Sequence, residues 1–485
     1  MKKVLSILMA TTVFLGVFST TNINTKGVEL KDGNSIQQTK DKNVIVSYLP
    51  LYRYWKAEDI QGDKLTDIII AFGRINENTY RLEIPDKTTS LDEVKRLKSL
   101  YPNLRVSLSL GGDAEKKFGE MSKTKERRSA FIKDVTDLLV KYNMDGVDVD
   151  WEVPVGLPWE PENKKPEERE YYTLLMQDFR DSLDKLGKED GKHYLLTYAS
   201  PVGGWSIDNI EFDKISKLVD KIYLMGYAYE GSWSPTTGHA SGLYKSSKNP
   251  NWQTTGDDTI KTFLKTGIDP NKLVLGVPNY SQDWYGVKNE NNGLFQTFKS
   301  SNNMKLSFTR LKDDYINKNG FTRYWDDEAK MPYLYNGDIF ISYEDEQSIG
   351  EKVNYIKDKK LGGIMCWEYT QDSRGELLDV MYKGLLKKNF DLWKVDNEYK
   401  IGDIVSYNSK EYECTLGHKA LEGWTPEAAS TLWTAKFQSE WTSKVNYKVG
   451  DVIKYNAEKY KCLQAHTALE DWTPDVCKAL WEVVK

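Results

Sequence analysis

Short apolar runs rich in β-branched side chains recur between residues 44 and about 385, separated by longer stretches with helical spacing. Eight such runs stand out: 44–49, 67–72, 105–110, 146–151, 194–198, 221–225, 273–277 and 362–367. Strands buried on both faces read as near-continuous apolar runs rather than alternating ones. Their alternation with helical stretches such as 91–100 and 125–142 predicts repeated βα units and a parallel sheet. Eight parallel strands over this length predict an α/β fold, a closed (β/α)8 barrel over 44–386. The interval between the seventh and eighth runs is too long for one crossover helix, so an α+β insertion is expected over about 281–343. The competing fold is an open doubly wound sheet, but no G-x-G-x-x-G turn follows the first run.

The tail has a different pattern. Trp393, Tyr399, Gly402, Tyr407, Tyr412, Cys414, His418, Trp424, Pro426 and Trp433 recur 48 residues later, without a gap, as Trp441, Tyr447, Gly450, Tyr455, Tyr460, Cys462, His466, Trp472, Pro474 and Trp481. Two copies of one unit follow, over 391–436 and 439–485. Short alternating stretches broken by Gly, Asn and Asp make each a small all-β module. A unit this small has little core, so several of its aromatics must be structural; Trp393, Trp433, Trp441 and Trp481 are read as core. Trp424 and Trp472 stand in Gly423-Trp424-Thr425-Pro426 and Asp471-Trp472-Thr473-Pro474 turns, which places their rings on loops.

At the other end, Lys2 and Lys3 precede an apolar stretch over 4–18, too short to span a bilayer comfortably, and polar sequence follows. This reads as an export signal over about 1–25, then a disordered segment over 26–43. A secreted, extracellular chain without a membrane anchor is expected, since no second apolar run approaches membrane length. Composition narrows the partners. The 15 Trp and 30 Tyr exceed core needs and favour ligands with flat apolar faces. A net charge of −5, with no basic run beyond the N-terminus, argues against nucleic acid. Four cysteines and four histidines lie scattered, so neither a disulfide framework, a metal centre nor a cofactor is expected. Cys366 reads as packing; Cys462 and Cys477 could pair, though the sequence does not require it.

The segment Asp145-Gly146-Val147-Asp148-Val149-Asp150-Trp151-Glu152 carries the chemistry. On a strand, alternate side chains share a face, so Asp148, Asp150 and Glu152 point one way and Val147, Val149 and Trp151 the other. Three carboxylates on the inner face of a barrel strand repel one another and resist burial, which no packing argument requires. The functional reading is that like charges hold a proton on Glu152 near neutral pH, making it a general acid at a strand's C-terminal end. The bland readings are a solvated edge strand or a calcium site.

That segment resembles the D-x-x-D-x-D-x-E signature of family 18 glycoside hydrolases, the chitinases and their relatives. Ser109-Leu110-Gly111-Gly112 resembles the family's S-x-G-G, and Met225-Gly226-Tyr227 its M-x-Y. The stretch 223–244, with Gly231-Ser232-Trp233 and Gly238-His239, is also similar. Leu361-Gly362-Gly363-Ile364-Met365-Cys366-Trp367-Glu368 resembles the eighth strand, whose Trp floors the sugar site. Tyr324-Trp325-Asp326-Asp327 and Pro332-Tyr333-Leu334-Tyr335 resemble the family's insertion. The tail repeats resemble carbohydrate-binding modules of families 5 and 12, which makes Trp424 and Trp472 candidate sugar-stacking residues on a chitin surface.

The resemblance implies a retaining mechanism in which the substrate's own acetamido group is the nucleophile. Glu152 would be acid and then base; Asp150 would bond the acetamido N–H and share a proton with Asp148; Tyr227 would hold the acetamido oxygen. Tyr48, Phe72, Gly112, Trp151, Met225, Trp233 and Trp367 are the expected substrate contacts. The partner would be chitin or another N-acetylglucosamine polymer, and the protein a monomer. Two departures bear on subsites: Ala228 stands where many members carry Asp, and Tyr280-Ser281-Gln282 where Tyr-Gly-Arg is usual. The alternatives are a catalytically impaired chitin-binding lectin and an endo-N-acetylglucosaminidase acting on glycans or peptidoglycan.

Overall fold

The computed structural model describes residues 43–485 except 85–87, 113–114, 252–253, 302–304, 388–391, 408–409, 436–440, 442–445, 448, 456–457, 470 and 485. The expected export signal and the polar segment after it lie outside the described residues. Eight parallel strands close a barrel: β1 (Val44–Pro50), β2 (Asp67–Ile75), β3 (Arg105–Leu110), β4 (Gly146–Val149), β5 (Leu195–Ser200), β6 (Lys221–Leu224), β7 (Leu273–Pro278) and β8 (Gly363–Trp367). Each pairs with its neighbours in chain order, and β8 returns to β1. The fourth predicted run extends two residues too far. Val149 is the last position in register with both β3 and β5, so Asp150 and Trp151 lie beyond the ladder.

Alternation sorts the side chains into two cores. Val44, Val46 and Tyr48 of β1 join Ile69, Tyr223, Val274 and Met365 inside the barrel. Ile45, Leu49, Ile68, Ile70, Val147 and Val149 face the surrounding helices, which include Asp92–Leu100, Lys125–Tyr142 and Glu168–Asp190. Between β7 and β8 the insertion forms a four-stranded antiparallel sheet from Gln282–Trp284, Thr322–Asp326, Met331–Tyr335 and Phe340–Ser342. His239, from the chain following β6, is fully buried beside this sheet, with Nε2 3.0 Å from Asp326 Oδ2.

Each tail module contains a two-stranded and a three-stranded antiparallel sheet, and the two copies match element for element. Trp433 packs edge-on to His418 with centroids 5.2 Å apart, and Trp481 does the same to His466 at 5.2 Å. Trp393 and Trp441 pack against the same small cores. All four cysteines are free, so Cys462 and Cys477 do not pair. Among the described residues, no helix is long and apolar enough to cross a membrane.

Candidate active site

The site grows from the register of three adjacent strands. Ser109 on β3 and Thr197 on β5 sit directly across from Asp148 on β4. Both donate hydroxyl hydrogen bonds to its carboxylate: Ser109 Oγ to Oδ2 at 2.9 Å and Thr197 Oγ1 to Oδ1 at 2.8 Å. Tyr48 Oη donates to Oδ2 at 2.8 Å. Asp148 is fully buried, and burial pushes its pKa up while these three bonds pull it down; burial prevails.

Asp150 and Glu152 follow toward the barrel mouth and line a cleft of about 840 Å³, a size usual for small-molecule sites. The glycine pair after β3 makes space for them. A Cβ on Gly111 would stand 2.6 Å from the Asp150 Cβ, and Gly112 turns the chain at φ 72° against the Phe72 ring. Tyr227 and Tyr280 face the carboxylates. Burial, then the nearby Tyr280, Asp150 and Glu152, hold the Tyr227 phenol well above its ordinary pKa. Burial and Glu152 push Tyr280 up to about 12. Both stay neutral hydrogen-bond donors at neutral pH. The half-buried indole of Trp367 forms an aromatic floor, 5.3 Å from the Tyr48 ring and stacked on Phe72 at 5.7 Å.

Of the residues singled out in the sequence, Tyr48, Phe72, Gly112, Asp150, Glu152, Met225, Tyr227, Trp233 and Trp367 converge on this cleft, and Asp148 lies beneath it. Trp151 does not. Its odd position in the alternation turns the indole outward, where it stacks on Phe118 at 5.1 Å and leans on Tyr172. It is a core residue, which corrects its placement among the substrate contacts. Trp424 and Trp472 stand in their modules at 44% and 39% exposure.

The cleft also takes in Trp159, Trp205, Tyr280 and Lys305, none of which was singled out as a contact. The available signal was a tryptophan in a proline-rich loop, Leu157-Pro158-Trp159. Ala228 lines the cleft with a φ of 56°, a left-handed conformation costing about 1 kcal/mol for a residue with a Cβ. Strain of this kind concentrates at functional sites.

Comparison with known proteins agrees with this geometry. Residues 44–372 match the model for glycosyl hydrolases family 18, and 392–434 and 440–482 each match that for carbohydrate-binding module family 5/12. The chain therefore belongs to glycosyl hydrolase family 18, with two family 5/12 modules at its C-terminal end. It is 39% identical over 403 residues to chitinase A1 of Niallia circulans, covering 69% of this chain and 57% of that one. It is 30% identical to chitinase 1 of Aphanocladium album, covering 60% and 67%. A solved family 18 N-acetylglucosaminidase from Paenibacillus barengoltzii superposes with a TM-score of 0.65 at 36% identity, over 71% of this chain and 100% of that one. A chitinase from Bacillus thuringiensis gives 0.66 at 31%, over 77% and 74%.

Proposed function

We propose that the protein is a secreted chitinase that hydrolyses β-1,4 bonds between N-acetylglucosamine units, with retention of configuration. The observation carrying this reading is the row Asp148, Asp150, Glu152, which rises from the sealed barrel interior into an aromatic cleft. Glu152 protonates the glycosidic oxygen as the bond to the anomeric carbon breaks. The acetamido carbonyl oxygen of the same sugar attacks that carbon and forms a cyclic oxazolinium ion. Asp150 accepts the acetamido N–H, with Asp148 behind it as the partner for a shared proton. Tyr227 donates to the acetamido oxygen, and Trp367 packs under the ring. Glu152, now a carboxylate, takes a proton from the water that opens the oxazolinium ion.

Secretion rests on the charged and apolar N-terminal pattern, and the polymeric substrate on the two modules. The test is release of soluble oligosaccharides from insoluble chitin by the wild type and by Glu152→Gln. Disaccharide from the wild type and a rate lowered about 10²–10⁴-fold in the variant are expected. Mainly monosaccharide would move the reading to an N-acetylglucosaminidase, the activity named for the Paenibacillus barengoltzii relative. Tight binding without hydrolysis by either protein would make it a lectin.

A further inference from the structure

The barrel order sets the loops after β4 and β5 across the mouth from β8 and β1, which carry Trp367 and Tyr48. On that opposite wall a second aromatic group lines the same cleft. Trp159, in the loop after β4, is 66% exposed and meets Trp205, after β5, edge to face at 6.0 Å and 78°. An indole this open contributes little to the core and leaves a large apolar face in water.

Its surroundings are nevertheless built. Asn209 Nδ2 donates to the carbonyls of Pro154 and Gly156, both at 2.9 Å, tying the segment that bears Trp205 to the loop that bears Trp159. The Val155 carbonyl accepts from Lys165 N at 2.9 Å, and the Glu168 carboxylate accepts from Val155 N at 3.2 Å, which closes the loop. Gly203 adopts φ 107°, and a Cβ there would stand 3.0 Å from the Trp205 ring. With the backbone beneath them tied in this way, the two rings, one of them largely bare, form a preorganised stacking surface.

We propose that Trp159 and Trp205 form a binding platform for a sugar unit distal to the scissile bond, so that the cleft favours long chains. This rests on the chitinase reading for the identity of the sugar. The test uses the full chain and its Trp159→Ala and Trp205→Ala variants, with the N-acetylglucosamine hexasaccharide and a chromogenic disaccharide as substrates. The hexasaccharide KM is expected to rise about fivefold in each variant, a larger factor than the change in the disaccharide KM. A hexasaccharide KM that stays at the wild-type value in both variants overturns the platform.

A binding measurement separates this from the catalytic reading. Hexasaccharide is titrated into the Glu152→Gln protein that also carries Trp424→Ala and Trp472→Ala, with and without Trp159→Ala. If the wild type cleaves neither substrate, the chitinase reading falls alone. Weaker binding on adding Trp159→Ala then supports the platform, and equal binding overturns it.

Discussion

The Tyr48 hydroxyl crosses the barrel interior to donate to Asp148 Oδ2 at 2.8 Å, joining side chains 100 residues apart. Burial, followed by the nearby Asp148 and Asp150, raises the phenol's pKa well above its ordinary value, so it remains a donor. Tyr48→Phe keeps the ring that packs on Trp367 and removes only the hydroxyl. A buried carboxylate losing one of three donors is expected to cost about 1–3 kcal/mol, read by urea unfolding. An unchanged midpoint would show that the bond adds nothing to the fold.

Asp148 also predicts a pH dependence. Its folded pKa lies above the unfolded carboxylate value of about 3.9, chiefly through burial. The folded state thus binds this proton more tightly than the unfolded one does. The resulting stabilisation is full below about pH 3.9 and is lost as pH rises through the folded value. Asp148→Asn removes the titration, so the wild type should gain stability relative to the variant on acidification. Melting temperatures of both from about pH 8 to 4 check this; a constant difference would sink it.

The barrel was legible because strands buried on both faces leave near-continuous apolar runs, as 44–49 does in β1, buried along its whole length. The carboxylate row was legible because Asp148, Asp150 and Glu152 have no reason to share a barrel face other than chemistry. The contacts around them were not. That Tyr48 reaches Asp148, or that Trp159 meets Trp205, depends on which loops the closed barrel brings together. No local pattern encodes that. Trp151 shows the converse: the signature segment makes it a contact candidate, whereas its odd position in the alternation assigns it to the helix side, where it packs on Phe118.

Trp151 therefore yields a prediction that separates packing from binding. Trp151→Ala should cost about 3–5 kcal/mol, as for other large core truncations. Trp151→Phe, which keeps a ring against Phe118, should cost less and leave the KM for soluble oligosaccharides unchanged. A raised KM with an unchanged melting temperature would return Trp151 to the substrate site.

The insertion is anchored by a buried ion pair, Lys352 with Glu344, both sealed from solvent. Ser241 and Ser348 also donate to the Glu344 carboxylate, at 2.5 and 2.6 Å. Lys352→Met leaves a buried carboxylate without its counter-charge and should cost about 3–5 kcal/mol. The double change Lys352→Met with Glu344→Gln should recover part of that loss in thermal unfolding. A double variant no more stable than the single one would mean that the lysine acts through packing alone.

The two tail modules present the same surface twice. Trp424 lies 6.4 Å from His418 and Trp472 6.3 Å from His466, each ring backed by a half-buried histidine and bare on its outer side. Two such sites on one chain make the second attachment to a polymer intramolecular, so their combined affinity exceeds that of either alone by about 10²–10⁴-fold. Trp424→Ala or Trp472→Ala alone should therefore release the protein from insoluble chitin to the level of one module, and the double variant should release it nearly completely. Hydrolysis of soluble oligosaccharides should not change in any of the three. Co-sedimentation with chitin across a protein concentration series measures both steps. If the double variant sediments no less than the single ones, the second module contributes no contact to the polymer. If all three sediment like the wild type, the exposed tryptophans are not the binding surface.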